Sequence, residues 1–556
     1  MNQKKEAWGT RVGLILAMAG NAVGFGNFLR FPVQAIQNGG GAFIIPYLVS
    51  FVMLGLPLLF IEWSIGRYGG TFGYHSTPFM MQSLDRRRLW KYVGVFGLFS
   101  NIGIAAYYCY MESWTLAYIF HSVIGTFTGM DQHQVVQVFS DYVSLDKATL
   151  IPFEPIVFFL LCLILNIYIL SKGLSGGVEK VAKIGMPMLI GFGLILAIRA
   201  ITLQSGHDGA VNGGSVGLDF LWTPQFDSVY NPKVWFAAAS QIFFTLSLGM
   251  GSIHAYSSYL RKKDDIALNA MSAGWLNEFV EVVLGGAIII PIAVGYLGIE
   301  RVTELAGLGG LGLGFKTLPF LFNQWGPALA TVAGVMWFGL LFFAGITSSL
   351  AMGVPVQGFL QDEFKWGRKK SAVAFGVIIL LLGLPTVLFF NQGVFDEYDY
   401  WTGSFALFVF AAAEAILFAW FFGIKKGWRE INAGADIKVS SFFKIMIAYV
   451  TPVLLIIVFL GAVFTPTDNN WVAAFHNLMA GNGWAFDHGS LVGKMLNTGL
   501  KEQIAAATDQ AVIADLKYKM LLANLTKILL LGLFVAISLV VRKAFYKRKK
   551  EGRWES

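Results

Sequence analysis

Three stretches of this 556-residue chain carry residue types that could do chemistry. GNAVGFGN (20–27) holds three glycines and two asparagines, TLSLGMG (245–251) two glycines and two hydroxyls, and ITSS (346–349) three hydroxyls. All three lie within apolar runs long enough to cross a bilayer. Glycine within a helix costs about 1 kcal/mol relative to alanine. An unwound backbone in lipid also strands its N–H and C=O groups, so it persists only where it lines a cavity or holds something. Freed carbonyls are neutral oxygen ligands for a hard cation, and freed N–H groups at a half-helix N-terminus suit a carboxylate. Gly20 and Gly24 also fit a GxxxG close-packing pattern, but two glycine-rich breaks flanked by side-chain oxygens favour binding. No enzyme constellation accompanies them. The seven histidines show no metal spacing, and there is neither a phosphate-binding glycine loop nor a nucleophile motif. The chain therefore reads as neither an enzyme nor an ATP-driven pump.

The elements that must position these stretches are membrane helices. The chain is 56% hydrophobic and 13% charged, where soluble domains are about 25% charged. Twelve spans are predicted, near 11–36, 41–65, 89–124, 152–171, 176–201, 234–257, 268–298, 327–361, 371–390, 398–423, 441–464 and 522–542. With this assignment 29 of the 41 Lys and Arg residues fall on one side, which places both termini in the cytoplasm of a cell-membrane protein. The net charge of +8 sits in these short loops, so nucleic acid is excluded as a partner. The basic N-terminus leads into an uncleaved first span, since no small-residue cleavage site follows. Cys109 and Cys162 fall in apolar segments and read as small buried side chains. The breaks at 20–27 and 245–251 lie five spans apart and in opposite sense. That is the pattern of a five-plus-five inverted repeat with a site at the midplane. The predicted organisation is a transporter core over 1–464 (repeats about 11–201 and 234–423), an external loop over 465–521, and a last span with a basic tail over 522–556. The glycine-rich 307–322 is read as an external loop that dips toward the core.

GNAVGFGNFLRFP with QNGGGAFIIPY, then YYCYMESWTLAY, QIFFTLSLGMG, WLNEFVE, FFAGITSS and FDEYDYW, in this order, resemble the neurotransmitter:sodium symporter family, especially its bacterial amino-acid transporters of the leucine-transporter type. The resemblance covers nearly everything up to residue 464. It implies sodium-coupled import of an amino acid by alternating access, with two Na⁺ ions. The first ion would be held by the Ala22 carbonyl, Asn27, Thr245, Asn277 and the substrate carboxylate. The second would be held by the Gly20, Val23 and Ala344 carbonyls with Thr347 and Ser348. The implied substrate contacts are Ala22, Gly24, Phe25, Gly26, Ile104, Tyr108, Phe244, Thr245, Ser247, Met250, Ser348 and Met352, with Tyr108 donating to the carboxylate. Family members that carry monoamines have Asp where Gly24 stands, so this chain's solute should bring its own carboxylate. The apolar lining points to a neutral, hydrophobic amino acid, and the two methionines make it adaptable.

In chloride-dependent relatives Ser stands at the position of Glu281, beside Tyr47, Gln241, Thr245 and Asn277. The implied transport is therefore chloride-independent. By the same resemblance Arg30 and Asp399 form an outer gate. Asp362 would form an inner one with the N-terminal arm near Trp8 and Tyr259; this arm offers Lys5 where the family has Arg. Arg30 alternatively marks the membrane interface. Glu62 and Glu112 read as helix-packing residues, and His254 as a packed, hydrogen-bonded histidine. A receptor of the same fold that binds without transporting is the alternative function. The oligomeric state is not legible.

Overall fold

The computed structural model describes residues 6–145, 153–226, 230–307 and 309–553. Every predicted span is helical. Ten are long apolar helices: Gly41–Thr71, Trp90–Val123, Glu154–Ser171, Leu174–Ile201, Ile266–Ala306, Pro327–Phe364, Arg368–Leu388, Val394–Ile431, Ser441–Phe464 and Gln510–Lys550. The other two, the first and the sixth, are the broken ones. In the first, Arg11–Ala22 and Gly26–Gln37 meet at 49°. The sixth consists of Pro232–Thr245 and Ser252–Ser257 with a non-helical stretch between them. The fold is thus an all-α membrane bundle with discontinuous first and sixth spans.

The breaks form where the sequence lowers their cost. At the end of Arg11–Ala22, Val23 is extended (ψ 103°), and the chain re-enters through a π-helical turn, Gly26–Arg30. In the sixth span Gly249 (φ 71°) and Gly251 (φ 91°) adopt the left-handed region that glycine tolerates. Ser247 adopts it too (φ 54°), at a cost of about 1–3 kcal/mol for a residue with a side chain. Its hydroxyl offsets that cost by donating to the Asn21 carbonyl at 2.9 Å, which ties one break to the other.

The third and eighth spans pack against each other along the centre. The most apolar stretch of the third is 83% enclosed by protein, against 28% for the eleventh and the twelfth. Those two outer helices present Tyr449, Ile457, Ile528 and Leu539 outward, as suits lipid contact. The segment 309–323 is short and helical, and it buries Leu313, Phe315, Leu318 and Leu321 in the core. Trp337 donates to the Gly314 carbonyl at 3.1 Å. The dipping loop expected there is therefore a folded plug. Beyond the eleventh span, Trp471–Met479, Leu491–Leu496 and Thr498–Ala506 are helical. The last helix starts at Gln510, twelve residues before its apolar part, because the polar QAVIADLKYKM continues the helix outside the apolar zone.

One buried cation closes an end of the bundle. The Arg67 side chain is fully enclosed. Its Nε donates to Glu430 at 2.9 Å, and its Nη1 donates to the Asp264 and Ala433 carbonyls at 2.7 and 2.8 Å. Removing one partner of a buried pair costs about 3–5 kcal/mol, because the other partner is left unpaired. Arg67→Met should lower the midpoint of thermal unfolding of the purified protein by that order of free energy. Arg67→Lys should recover little, since a single ammonium cannot reach three acceptors in fixed directions.

Candidate functional site

The two breaks face each other and the middle of the eighth span. The Ser348 hydroxyl lies 3.2 Å from the Gly20 carbonyl, 3.4 Å from Val23, 3.1 Å from Ala344 and 3.5 Å from Asn21. The Thr347 hydroxyl is 3.3 Å from the Ala344 carbonyl. A Cβ on Gly20 would come within 2.9 Å of the Thr347 side chain. All five residues expected at the second ion site are thus together. Ser247 serves the Asn21 carbonyl and Ala344 lies inside its helix, but the Gly20 and Val23 carbonyls have only the single hydrogen of Ser348 to share. This surplus of buried, neutral oxygen suits a hard cation.

The residues expected at the first ion site also converge. The Asn27 side-chain oxygen Oδ1 accepts the Gly24 N–H at 2.8 Å, inside the break itself. Its amide donates to Asn277 at 2.9 Å and to Glu281 at 3.1 Å. Asn277 donates to the Thr245 hydroxyl at 3.0 Å, and Thr245 donates to Glu281. Gln241 donates to the other Glu281 oxygen at 2.7 Å, and Tyr47 faces Glu278 and Glu281. Glu281 is fully buried. It therefore sits among the neighbours named for it, with its carboxyl beside this oxygen set.

Between these two residue sets lies a cavity lined by Ala22, Gly24, Gly26, Asn27, Ile104, Tyr107, Tyr108, Phe244, Thr245, Ser247, Met250, Ser348, Met352, Gly403 and Leu407. Its volume, about 30 Å³, holds a water or two but no amino acid, so a solute must open it. Tyr108 accepts the Phe25 N–H at 3.2 Å, and its hydroxyl also meets that of Ser348. A Cβ on Gly24 would stand 2.6 Å from the Tyr108 oxygen and 3.2 Å from that of Ser348. No side chain fits there without displacing both.

Two expectations need correction. Phe25 does not line the cavity: its ring packs on Tyr108 (4.8 Å) and against Gly345, because the π-helical turn rotates it behind the tyrosine. Arg30 and Asp399 are not paired. Arg30 stacks over Phe244 at 4.5 Å and donates to Ser240 at 3.0 Å, while Asp399 accepts the Tyr107 hydroxyl at 2.7 Å. Lys5 lies outside the described residues. Asp362 accepts the His75 N–H at 2.9 Å, beside a cavity of about 1250 Å³.

Tyr107, Gly403 and Leu407 went unnoticed as lining residues. The available signal was Gly403, one turn after Asp399 and hence on its face. Phe244, Gly403 and Leu407 also border a neighbouring apolar cavity of about 250 Å³, from which they separate the central one.

At the end of the bundle that carries the N-terminus, Trp8 packs edge-on against Tyr256 (5.1 Å) and donates to its carbonyl at 3.1 Å. The arm is held by Glu6, whose carboxylate meets Arg368 at 2.5 Å. Burial pushes the Glu6 carboxyl above the ordinary carboxylate range, and Arg368 opposes that shift. Arg368→Ala should then loosen the arm by about 1 kcal/mol, the scale of a partly exposed pair. That corresponds to roughly fivefold faster thiol labelling of an Ala7→Cys reporter, and adding Glu6→Gln should reverse most of it.

A helical membrane bundle with two facing broken spans, and ligand oxygens at both, defines a carrier rather than an enzyme. The model of the sodium:neurotransmitter symporter family matches residues 5–140 and 143–495, and the chain belongs to that family as a sodium-dependent transporter. It is 31% identical over 468 residues to an uncharacterized sodium-dependent transporter of Methanocaldococcus jannaschii, covering 83% of this chain and 91% of that protein. It is 26% identical over 525 residues to sodium-dependent nutrient amino acid transporter 1 of Drosophila melanogaster, covering 83% and 78%. The crystal structure of MhsT in complex with L-phenylalanine superposes with a TM-score of 0.70 at 30% identity, over 82% of this chain and 99% of that one.

Proposed function

We propose that this transporter imports a neutral, hydrophobic α-amino acid together with two Na⁺ ions. The observation that carries the reading is the oxygen surplus around Ser348, with a side-chain-free Gly24 beside it. Na⁺ is cargo here. The Gly20, Val23 and Ala344 carbonyls with Thr347 and Ser348 would hold one ion. The Ala22 carbonyl, Asn27, Thr245 and Asn277 would hold the other, with the solute's carboxylate as its last ligand. That shared oxygen is the coupling, since the first ion site is incomplete without the solute. Tyr108 would donate to the same carboxylate. Ile104, Phe244, Met250 and Met352 would take an apolar side chain, and no ionised group lines their cavity. The amino acid named for the Drosophila relative and the phenylalanine bound to MhsT support this class of solute.

Both termini would face the cytoplasm, with residues 1–464 as the transporting core and 465–521 as an external cap. The outer closure would then be Phe244 with Arg30, and the inner one Trp8 with the Glu6–Arg368 pair. Two unit charges moving through about 100 mV release about 4.6 kcal/mol, enough for roughly a thousandfold accumulation.

Binding of each of the twenty amino acids to purified protein, in Na⁺ and in K⁺, tests this reading. Hydrophobic neutral amino acids should bind in Na⁺ only, and Ser348→Ala should raise the Na⁺ concentration for half-saturation about tenfold. Binding of glycine or charged amino acids alone, or equal binding in K⁺, would sink it. A second expectation follows from Glu281, which would supply the charge that chloride gives elsewhere. Uptake into proteoliposomes should be indifferent to replacement of chloride by gluconate, and Glu281→Ser should make it chloride-dependent.

A further inference from the structure

Away from the ion and solute sites, three ionisable side chains meet that the proposed transport cycle does not use. Glu62 comes from the second span, His254 from the second half of the sixth, and Glu414 from the tenth. Each is completely enclosed. His254 stands between the two carboxyls, with Nδ1 3.4 Å from Glu62 and Nε2 3.1 Å from Glu414. One oxygen of each carboxyl and a His254 nitrogen lie within 4.8 Å of one another. The second Glu62 oxygen accepts the Gly249 N–H at 2.7 Å. Neither Glu414 oxygen and neither His254 nitrogen makes a hydrogen bond of good geometry, so these buried polar atoms depend on shared protons for partners.

The Phe410 ring lies 5.7 Å from that of His254. The first, second and eighth spans pack on the His254 helix, and the second, third and eleventh pack on the Glu414 helix. Among the described residues of all these elements, the titratable groups that interact with the trio are its own members. The nearest base on the second span, Arg67, is taken by Glu430.

Such a site has its charge dictated by its surroundings. Two ionised carboxylates beside a neutral imidazole would place two uncompensated charges in an apolar interior, which proteins avoid by taking up protons. The neutral arrangement holds two titratable protons. They sit either on both carboxyls, or on one carboxyl and an imidazolium that faces the remaining carboxylate. A metal fits poorly. The imidazole offers a different nitrogen to each carboxyl, on opposite edges of the ring, so only one can face a common ion. The spacings suit protons shared along a chain of three groups.

We propose that Glu62, His254 and Glu414 form an intramembrane proton-binding site that holds two exchangeable protons and changes its occupancy as the sixth span rearranges. The Gly249 N–H is the coupling element. It belongs to the break and favours an ionised Glu62. Movement that withdraws it leaves that oxygen to be satisfied by a proton instead. Protons therefore favour the rearranged sixth span, and loss of a proton favours the arrangement described above. The inference rests on the transport reading only in that the sixth span moves; the occupancy is measurable without transport.

Infrared difference spectra of the full-length protein in nanodiscs, with NaCl as the only added ligand, read the site directly. At neutral pH the wild type should show a protonated-carboxyl stretch, sensitive to D2O, that shrinks in Glu62→Gln and in Glu414→Gln. His254→Gln should displace the pH at which that band is lost by about one unit, a tenfold change in proton affinity. Should the Gln variants fail to fold, Glu414→Asp keeps the proton and should shift the band in frequency. A band unchanged by every variant that folds overturns the proposal. So does one metal ion per chain that co-purifies with the wild type and is lost in His254→Gln. Loss of Na⁺-dependent amino-acid binding with these spectra intact would count against the transport reading instead.

Discussion

A polypeptide that leaves its helix inside a membrane has no water to turn to, so each freed N–H and C=O must find a partner in the protein or in what the protein binds. Much of the architecture around both breaks answers that demand. Asn27 caps the Gly24 N–H, Tyr108 that of Phe25, and Glu62 that of Gly249. On the carbonyl side Ser247 serves Asn21, while Ser348 is spread over several oxygens at once. The Gly20 and Val23 carbonyls thus share one hydroxyl hydrogen. That shortage of donors suits a cation, and it arises from the side chains placed at the breaks rather than from a formal charge there.

Charge is kept one shell further out. Glu281 touches Asn27 and Thr245, and so acts on the oxygen set through the side chains that would hold the ion. Glu112 stands in a similar relation to the eighth span: Asn166 donates to it, and Ser349, next to Ser348, donates to Asn166. A carboxylate one residue removed stabilises a cation without displacing the neutral ligands that must let it go again.

The helices, and the residues that the fold gathers at the two breaks, were largely legible in the sequence, because their signals are local. Apolar length marks a span, and glycine with asparagine or hydroxyls marks a break. What escaped depends on rotation about a helix axis or on pairing across the bundle. Phe25 sits inside the recognised motif, yet the π-helical turn at Gly26–Arg30 carries its ring behind Tyr108. Arg30 and Asp399 have the charges of a pair, but Tyr107 reaches the carboxylate first and an aromatic face takes the guanidinium. Glu414 is an ionisable residue in the apolar run AAAEAI, a signal in its own right. It gains meaning only when the fold sets it against Glu62 and His254, which were read singly.

The attachment of the last helix has a mechanical side. Arg548 is buried against Glu363 at the end of the eighth span and stacks over Tyr74 and Phe79 at 4.5 and 4.7 Å. Ser348 and Glu363 are fifteen residues apart on one unbroken helix, about 22 Å at the α-helical rise. A rod of that length turning by about 10° around its ion-binding middle would carry its tip nearly 4 Å, beyond the reach of a hydrogen bond. The peripheral twelfth helix is therefore a passenger of the eighth: whatever tilts the ion-binding rod must either drag the basic tail with it or break its grip.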